Sequence, residues 1–254
     1  MLIINTRPES RRQALTAGLR EQGWQVAELP LLSLVPTDLE GLAPQLRELA
    51  KMRCIVVVSP TAVELGMQAL AKAGILLSDL AHIEWIAVGQ GTAAYLRQWN
   101  IEAHIPVVET SEGMLQLPYL QQLPVEAGIA FWRGEGGRTF MMQQLIEKGH
   151  AVLNLVLYTR QLPASSSAQF LNVVQQRPDV VLISSEASWR YWQALTTRFS
   201  ASDYLKQTHY IVLGSRLYQC LATDVDLRYV HQVDHLQFSN LHACLKDIET
   251  HTNE

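Results

Sequence analysis

"NTRPESRRQALTAGLREQGWQVAELPLL" (residues 5–32) and "FWRGEGGRTFMMQQLIEKGHAVLNLVLY" (residues 131–158) are one passage written twice. Arg7, Glu9, Gly23, Val26 and Leu29 of the first fall on Arg133, Glu135, Gly149, Val152 and Leu155 of the second, at an offset of 126 positions throughout. Farther along, "IVVVSPTAVEL" (55–65) aligns with "VVLISSEASWR" (180–190), placing Ser59 over Ser184 and Ala62 over Ala187. "AVGQGTAAYL" (87–96) likewise aligns with "VLGSRLYQCL" (212–221), with Gly89 over Gly214, at an offset of 125. The register holds across both halves, so the chain is a unit of about 125 residues said twice.

Each copy alternates short apolar runs with helical patterns. "LIIN" is followed by Ala14, Leu15 and Leu19 at helical spacing until Gly23, after which "GWQVAEL" restarts as a strand. "CIVVVS" is a continuous β-branched run, the pattern of a strand buried on both faces; a helix opens at Pro60, "IEWIAVG" gives another strand, and a further helix begins near Thr92. Strands alternating with helices imply right-handed crossovers and a parallel sheet. The expected class is α/β, two flavodoxin-like parallel-sheet lobes. Two stretches stand outside that scheme, "AELPLLSLVP" (27–36) and "VLNLVLYTRQLP" (152–163), equivalent in the repeat, longer than the other strands and ended by proline. They are read as a two-stranded linker.

The 254 residues, 48% hydrophobic and 17% charged, can bury a core of two ordinary domains. A formal charge of −4, with no run of five like charges, argues against nucleic acid or an anionic membrane as partner, because both select concentrated Lys and Arg. The start lacks the basic lead and apolar core of a signal peptide, and no stretch reaches the ~20 apolar residues of a membrane helix. A soluble, cytoplasmic protein is expected. Cys54, Cys220 and Cys244 are odd in number and lack C-x-x-C spacing, so they read as buried, inert thiols, and the eight histidines show no metal-ligand spacing.

Ligands of open parallel sheets sit beyond the carboxyl ends of the strands, where loops enter helices. "RGEGGR" offers Gly134 and Gly136 for close backbone approach and Arg133 and Arg138 for charge, which suits a carboxylate or a phosphate. It is neither a dinucleotide fingerprint nor a Walker loop, and a turn that needs glycine for backbone reasons alone remains open. "TRPE" repeats the arrangement, with Thr6 as a helix cap, Pro8 at the first turn and Arg7 beside the helix N-terminus. Ser59, Thr61, Ser184, Ser185 and Thr92 also stand at helix starts, where capping explains a hydroxyl without any ligand. Tyr158 ends a linker strand beside Thr159 and Arg160, where it is either a half-buried amphipath or a general acid. No covalent nucleophile is evident.

"TRPES", "ELPLLSL", "SPTAVE", "AVGQGTAAYL", "TSEGML" (110–115), "WRGEGGR" and "VLYTRQ", in this order and spacing, make the whole chain resemble the uroporphyrinogen-III synthase family. The resemblance implies a bilobal enzyme crossed twice by its chain: residues 1–35 with 165–254 in one lobe, 38–160 in the other, and linker strands near 29–37 and 155–164. It implies closure of hydroxymethylbilane, a linear tetrapyrrole polycarboxylate, to uroporphyrinogen III with loss of water and inversion of ring D, by a monomer needing neither cofactor nor metal. By the same resemblance Tyr158 is the leading proton donor and Thr92 a second catalytic hydroxyl. Arg7, Ser59, Thr61, Gly89, Arg133, Gly134, Gly136, Arg138, Ser184, Ser185 and Ser215 become substrate contacts.

The second half departs from the family pattern. "SSEASW" replaces a Ser-Pro-x-Ala-Val type of loop, and Arg216 and Leu217 stand where many relatives carry small hydroxyl residues, so no second catalytic threonine is transferred. The rival reading is a two-lobed binding or sensor protein that closes on a small polyanion without chemistry, because bilobal sheets with glycine loops serve both purposes.

Overall fold

The computed structural model describes residues 1–38, 40–136, 138–235 and 238–252. In chain order its strands are β1 (Leu2–Asn5), β2 (Gln25–Glu28), β3 (Ser33–Pro36), β4 (Cys54–Val57), β5 (Glu84–Ala87), β6 (Ala103–His104), β7 (Gly128–Gly134), β8 (Ala151–Gln161), β9 (Val180–Ile183), β10 (His209–Leu213) and β11 (Val230–Val233). The chain divides into two compact units, Met1–Ser33 with Gln161–Glu254, and Leu34–Arg160.

The discontinuous unit holds a five-stranded sheet in the order β11-β10-β9-β1-β2, every pairing parallel. Counted along the chain from β2, this is second, first, third, fourth, fifth, the flavodoxin arrangement. Parallel strands covered on both faces read as unbroken apolar runs, and all four residues of β9 are buried. The pleat sorts them. Val181 and Ile183 join Ile4, Phe170, Trp189 and Trp192 on one face, whereas Val180 and Leu182 join Ile3, Leu15, Leu19 and Leu241 on the other. Each fully buried aliphatic side chain contributes about 1.5–3 kcal/mol relative to leaving it in water.

The continuous unit holds six strands in the order β3-β8-β7-β4-β5-β6. β4, β5, β6, β7 and β8 pair in parallel. β3 lies against β8: the Thr37 N–H donates to the Leu157 carbonyl (3.0 Å) and the Ser33 hydroxyl to the Gln161 carbonyl (3.2 Å), so partners fall as the chain rises and the two strands run antiparallel. Ile55, Val57, Ala130 and Trp132 pack on one face with the helix Pro60–Lys72, and Cys54, Val56, Ile129 and Phe131 on the other with Met141, Met142 and Leu145. Trp132, Trp189 and Trp192 are packing residues, 0%, 4% and 1% exposed.

Corresponding strands of the repeat occupy corresponding places in both sheets, β1 with β7, β2 with β8, β9 with β4 and β10 with β5. Gly23 and Gly149, matched in the repeat, follow the helices Glu9–Glu21 and Phe140–Glu147 with φ of +84° and +89°, the left-handed turn that ends a helix at little cost only for glycine. One detail of the alignment shifts by a residue. The Ser59 hydroxyl caps its helix by accepting from Ala62 N–H, and Ser185, not Ser184, does the same by accepting from Ser188 N–H. Of the cysteines, Cys54 is buried and its thiol is pushed up to about 12 by that burial, then by Glu84. Cys220 and Cys244 are only partly buried, because their helix faces reach the surface. No described helix is long and apolar enough to cross a membrane.

Candidate functional site

The helix after β7 packs on one face of its sheet and the helix after β4 on the opposite face, so the loops leaving these neighbouring strands diverge. The same holds for β1 and β9. Such a switch point opens a crevice at the carboxyl edge of a sheet. Arg7, Ser184 and Ser185 flank the crevice of one unit, and Ser59, Thr61, Arg133, Gly134, Gly136 and Arg138 that of the other. Gly89 and Thr92 follow β5 and Ser215 follows β10, one strand farther out in each sheet.

In the continuous unit the crevice contains a pocket of about 250 Å³, walled among others by Val58, Phe131, Arg133, Arg138, Met142 and Arg160. Arg133 is only 5% exposed; its Nε–H donates to the Gly134 carbonyl at 3.2 Å, and its NH1 lies 3.8 Å from the Met142 sulfur. Burial first, and then the Arg160 guanidinium, pull its pKa below the usual arginine value, while Tyr158 acts in the other direction. Arg160 donates to the Glu135 carbonyl at 2.6 Å. Arg138 is exposed, paired with Glu112 at 2.8 Å, and its guanidinium carbon lies 5.6 Å from the centre of the Phe140 ring. Three arginines around one small pocket are the local concentration of cations that an acidic protein needs to hold an anion.

Tyr158 lies in β8 beside Gly134 of β7, just past a break in register between Arg133 and Gly134. It is 3% exposed, and its hydroxyl is 3.1 Å from the Ser59 Oγ. A Cβ on Gly134 would sit 2.2 Å from Tyr158 Cε2, so this glycine makes room for the ring. Gly136 has φ +73° and serves the turn, whereas Gly137 lies outside the described residues. Two glycines of "RGEGGR" thus have backbone and packing reasons of their own.

In the discontinuous unit Thr6 does not cap the helix as its sequence position implies. Its hydroxyl donates to the Leu182 carbonyl, tying β1 to β9, and the helix begins after Pro8 with no side-chain cap. The buried Asn5 accepts from Arg7 N–H at 3.2 Å and donates to Thr16 Oγ1 at 3.0 Å, which fixes the loop. Arg7 is half-buried, and burial, then Arg11, lower its pKa. Ser184 and Ser185 are half-buried and Ser215 is exposed. Arg216 forms an ion pair with Glu186 at 2.6 Å, across the loops that depart from the family pattern.

Two participants escaped sequence reasoning. Arg160 was visible beside Tyr158, but only the β7–β8 pairing brings it to Arg133. Glu109 accepts from Gln90 N–H at 2.8 Å, and a Cβ on Gly89 would lie 2.2 Å from its Oε2. The helix N-terminus that Gly89 offers thus already holds a carboxylate, and Thr92 in its first turn is 3% exposed. Nothing in the sequence links positions 89 and 109. Among the described residues no group of three or more His, Cys, Asp or Glu could hold a metal ion.

The family model described as Uroporphyrinogen-III synthase HemD matches residues 13–226. A uroporphyrinogen-III synthase from Salmonella typhimurium is 28% identical over 222 residues, which cover 85% of this chain and 89% of the relative. A crystal structure of a mutant uroporphyrinogen III synthase from the extremely thermophilic bacterium Thermus thermophilus superposes with a TM-score of 0.72 at 18% identity, covering 98% of this chain and 99% of that one. The Helicobacter pylori uroporphyrinogen-III synthetase structure gives 0.59 at 13% identity, covering 96% and 98%. At these identities the structures speak for the fold alone.

Proposed function

The chain belongs to the uroporphyrinogen-III synthase family and is an enzyme of tetrapyrrole biosynthesis, a lyase, and from that premise we propose how its own residues carry out the closure of hydroxymethylbilane to uroporphyrinogen III. The observation that carries the proposal is the cluster at the β7/β4 switch point, where Arg133, Arg138 and Arg160 wall one pocket and the Tyr158 hydroxyl stands against Ser59.

The substrate is flexible, and uncatalysed closure gives the uninverted isomer, so the enzyme's first task is to hold one conformation. Arginines and helix N-terminal N–H groups bind acetate and propionate side chains, Arg133 most firmly because a buried cation acts through a low dielectric. The bound carboxylates then offset the positive charge of the pyrrole intermediates. Tyr158 supplies the proton with which the terminal hydroxyl leaves as water. The resulting azafulvene is attacked by the substituted carbon of ring D, and the spiro intermediate fragments and recloses with the ring inverted. Arg7, Thr61, Ser184, Ser185 and Ser215 contribute contacts, and Thr92 and Gly89 do so once a substrate carboxylate competes with Glu109. The same proposal places the enzyme in the cytoplasm, and the family resemblance makes it a monomer.

A sensor or binding protein without chemistry is not favoured, because every relative above is named as a synthase or synthetase. The decisive assay incubates the protein with freshly generated hydroxymethylbilane and separates the oxidised porphyrin isomers. Type III in clear excess over type I is expected; type I alone would end the assignment.

A further inference from the structure

We propose that the proton given to the leaving hydroxyl passes through Ser59, with Tyr158 behind it as the source. The inference rests on the reading of Tyr158 as the acid and adds the route. Tyr158 is too enclosed to meet a bulky substrate directly: it is 3% exposed, Gly134 lies so close beneath the ring that a Cβ there would be 2.4 Å from Cζ, and the Arg160 guanidinium carbon is 5.7 Å from the ring centre. Its hydroxyl points to Ser59 Oγ, 3.1 Å away, and Ser59 is the more accessible of the two.

A serine hydroxyl has one donor and two acceptor lone pairs. One lone pair of Ser59 accepts from Ala62 N–H at 3.1 Å, which fixes Oγ at the start of the 13-residue helix Pro60–Lys72. If the second accepts from Tyr158 O–H, the serine's own O–H is left to point outward, at a substrate oxygen. As the carbon–oxygen bond of the hydroxymethyl group breaks with its electrons going to oxygen, the Ser59 proton moves to that oxygen and water departs. The Tyr158 proton then moves to Ser59 Oγ. The helix N-terminus eases the passing negative charge at Ser59, and the Arg160 guanidinium steadies the phenolate. Tyr158 regains a proton when the closing pyrrole sheds one on recovering aromaticity, so the cycle balances without a co-reactant.

The test compares Tyr158→Phe, Ser59→Gly, Ser59→Thr and the Tyr158→Phe/Ser59→Gly pair in kcat and KM with hydroxymethylbilane. Glycine is well tolerated at a cap position, so the fold is kept while the hydroxyl is lost. Should Ser59→Gly fail to fold, Ser59→Asn, which caps equally well and cannot relay a proton, replaces it. Tyr158→Phe and Ser59→Gly are each expected to lower kcat about 100-fold with KM little changed, the size of a general-acid contribution. The double variant should be no slower than either single one, and Ser59→Thr should restore most of the rate. Turnover that falls by the product of the two single losses overturns the relay. So does a normal kcat in Ser59→Gly beside an impaired Tyr158→Phe, which would leave the acid in place without its route. Full turnover in Tyr158→Phe removes the acid itself.

Discussion

Gly134 has no side chain because Tyr158 takes the space. An alanine there would place its Cβ 2.2 Å from Tyr158 Cε2, closer than any side chain tolerates, so either the ring or β7 must move. Overpacking of this kind costs about 1–3 kcal/mol. Gly134→Ala is therefore expected to lower both the melting temperature and kcat, since the displaced phenol loses its 3.1 Å contact with Ser59. An alanine variant with wild-type melting and turnover would show that the ring does not depend on this socket. In the sequence, the glycines of "RGEGGR" read as an anion-binding loop, with a plain turn left open as the alternative. Which one applies to Gly134 is set by a residue 24 positions away, Tyr158, whose proximity no local pattern records.

Strands buried on both faces, such as β4 and β9, are legible from sequence because every residue must be apolar. What neighbouring strands do to each other is not. His209 of β10 and His231 of β11 meet only through strand pairing, with Nδ1 of the first 2.9 Å from Nε2 of the second, so one ring donates and the other accepts. Burial, then His209, bring the His231 imidazolium down to about 4, against a partial pull upward from Asp247. The ordinary value is about 6.5. The folded pKa lies below the unfolded one, so the unfolded chain binds more protons between those values. The neutral pair's contribution is full above about 6.5, declines as the pH falls, and is spent near 4. Urea melts between pH 7 and 4.5 should show stability falling more steeply for the wild type than for His231→Gln, and parallel curves would acquit the pair.

The two sheets share one spatial order but not one chain order. In the discontinuous unit the β1–β2 pair opens the chain, whereas its counterpart β7–β8 closes the continuous unit, so one strand order is a circular permutation of the other. Every residue of the clusters around Trp132 and around Phe131 lies within 34–160, and every residue of the other two lies outside it. A contiguous segment with its own core is expected to fold alone. The fragment 34–160 should give a cooperative thermal transition by circular dichroism, and a featureless melt would count against an autonomous core.

The amino-acid sequence determined the duplication, the alternation of strands and helices, the parallel α/β class and the family, because these rest on local periodicity and on motifs carried in order along the chain. It also marked the switch-point loops, since glycines, arginines and cap hydroxyls gather where strands run into helices. Only the tertiary structure decided that Ser185 rather than Ser184 answers Ser59, that Thr6 ties two strands together instead of capping a helix, that Glu109 fills the helix N-terminus beside Gly89, and that Tyr158 addresses Ser59. Each of these is a hydrogen bond or close packing between atoms whose distance is set by how strands pair and side chains fill space, and a one-dimensional pattern holds no measure of that.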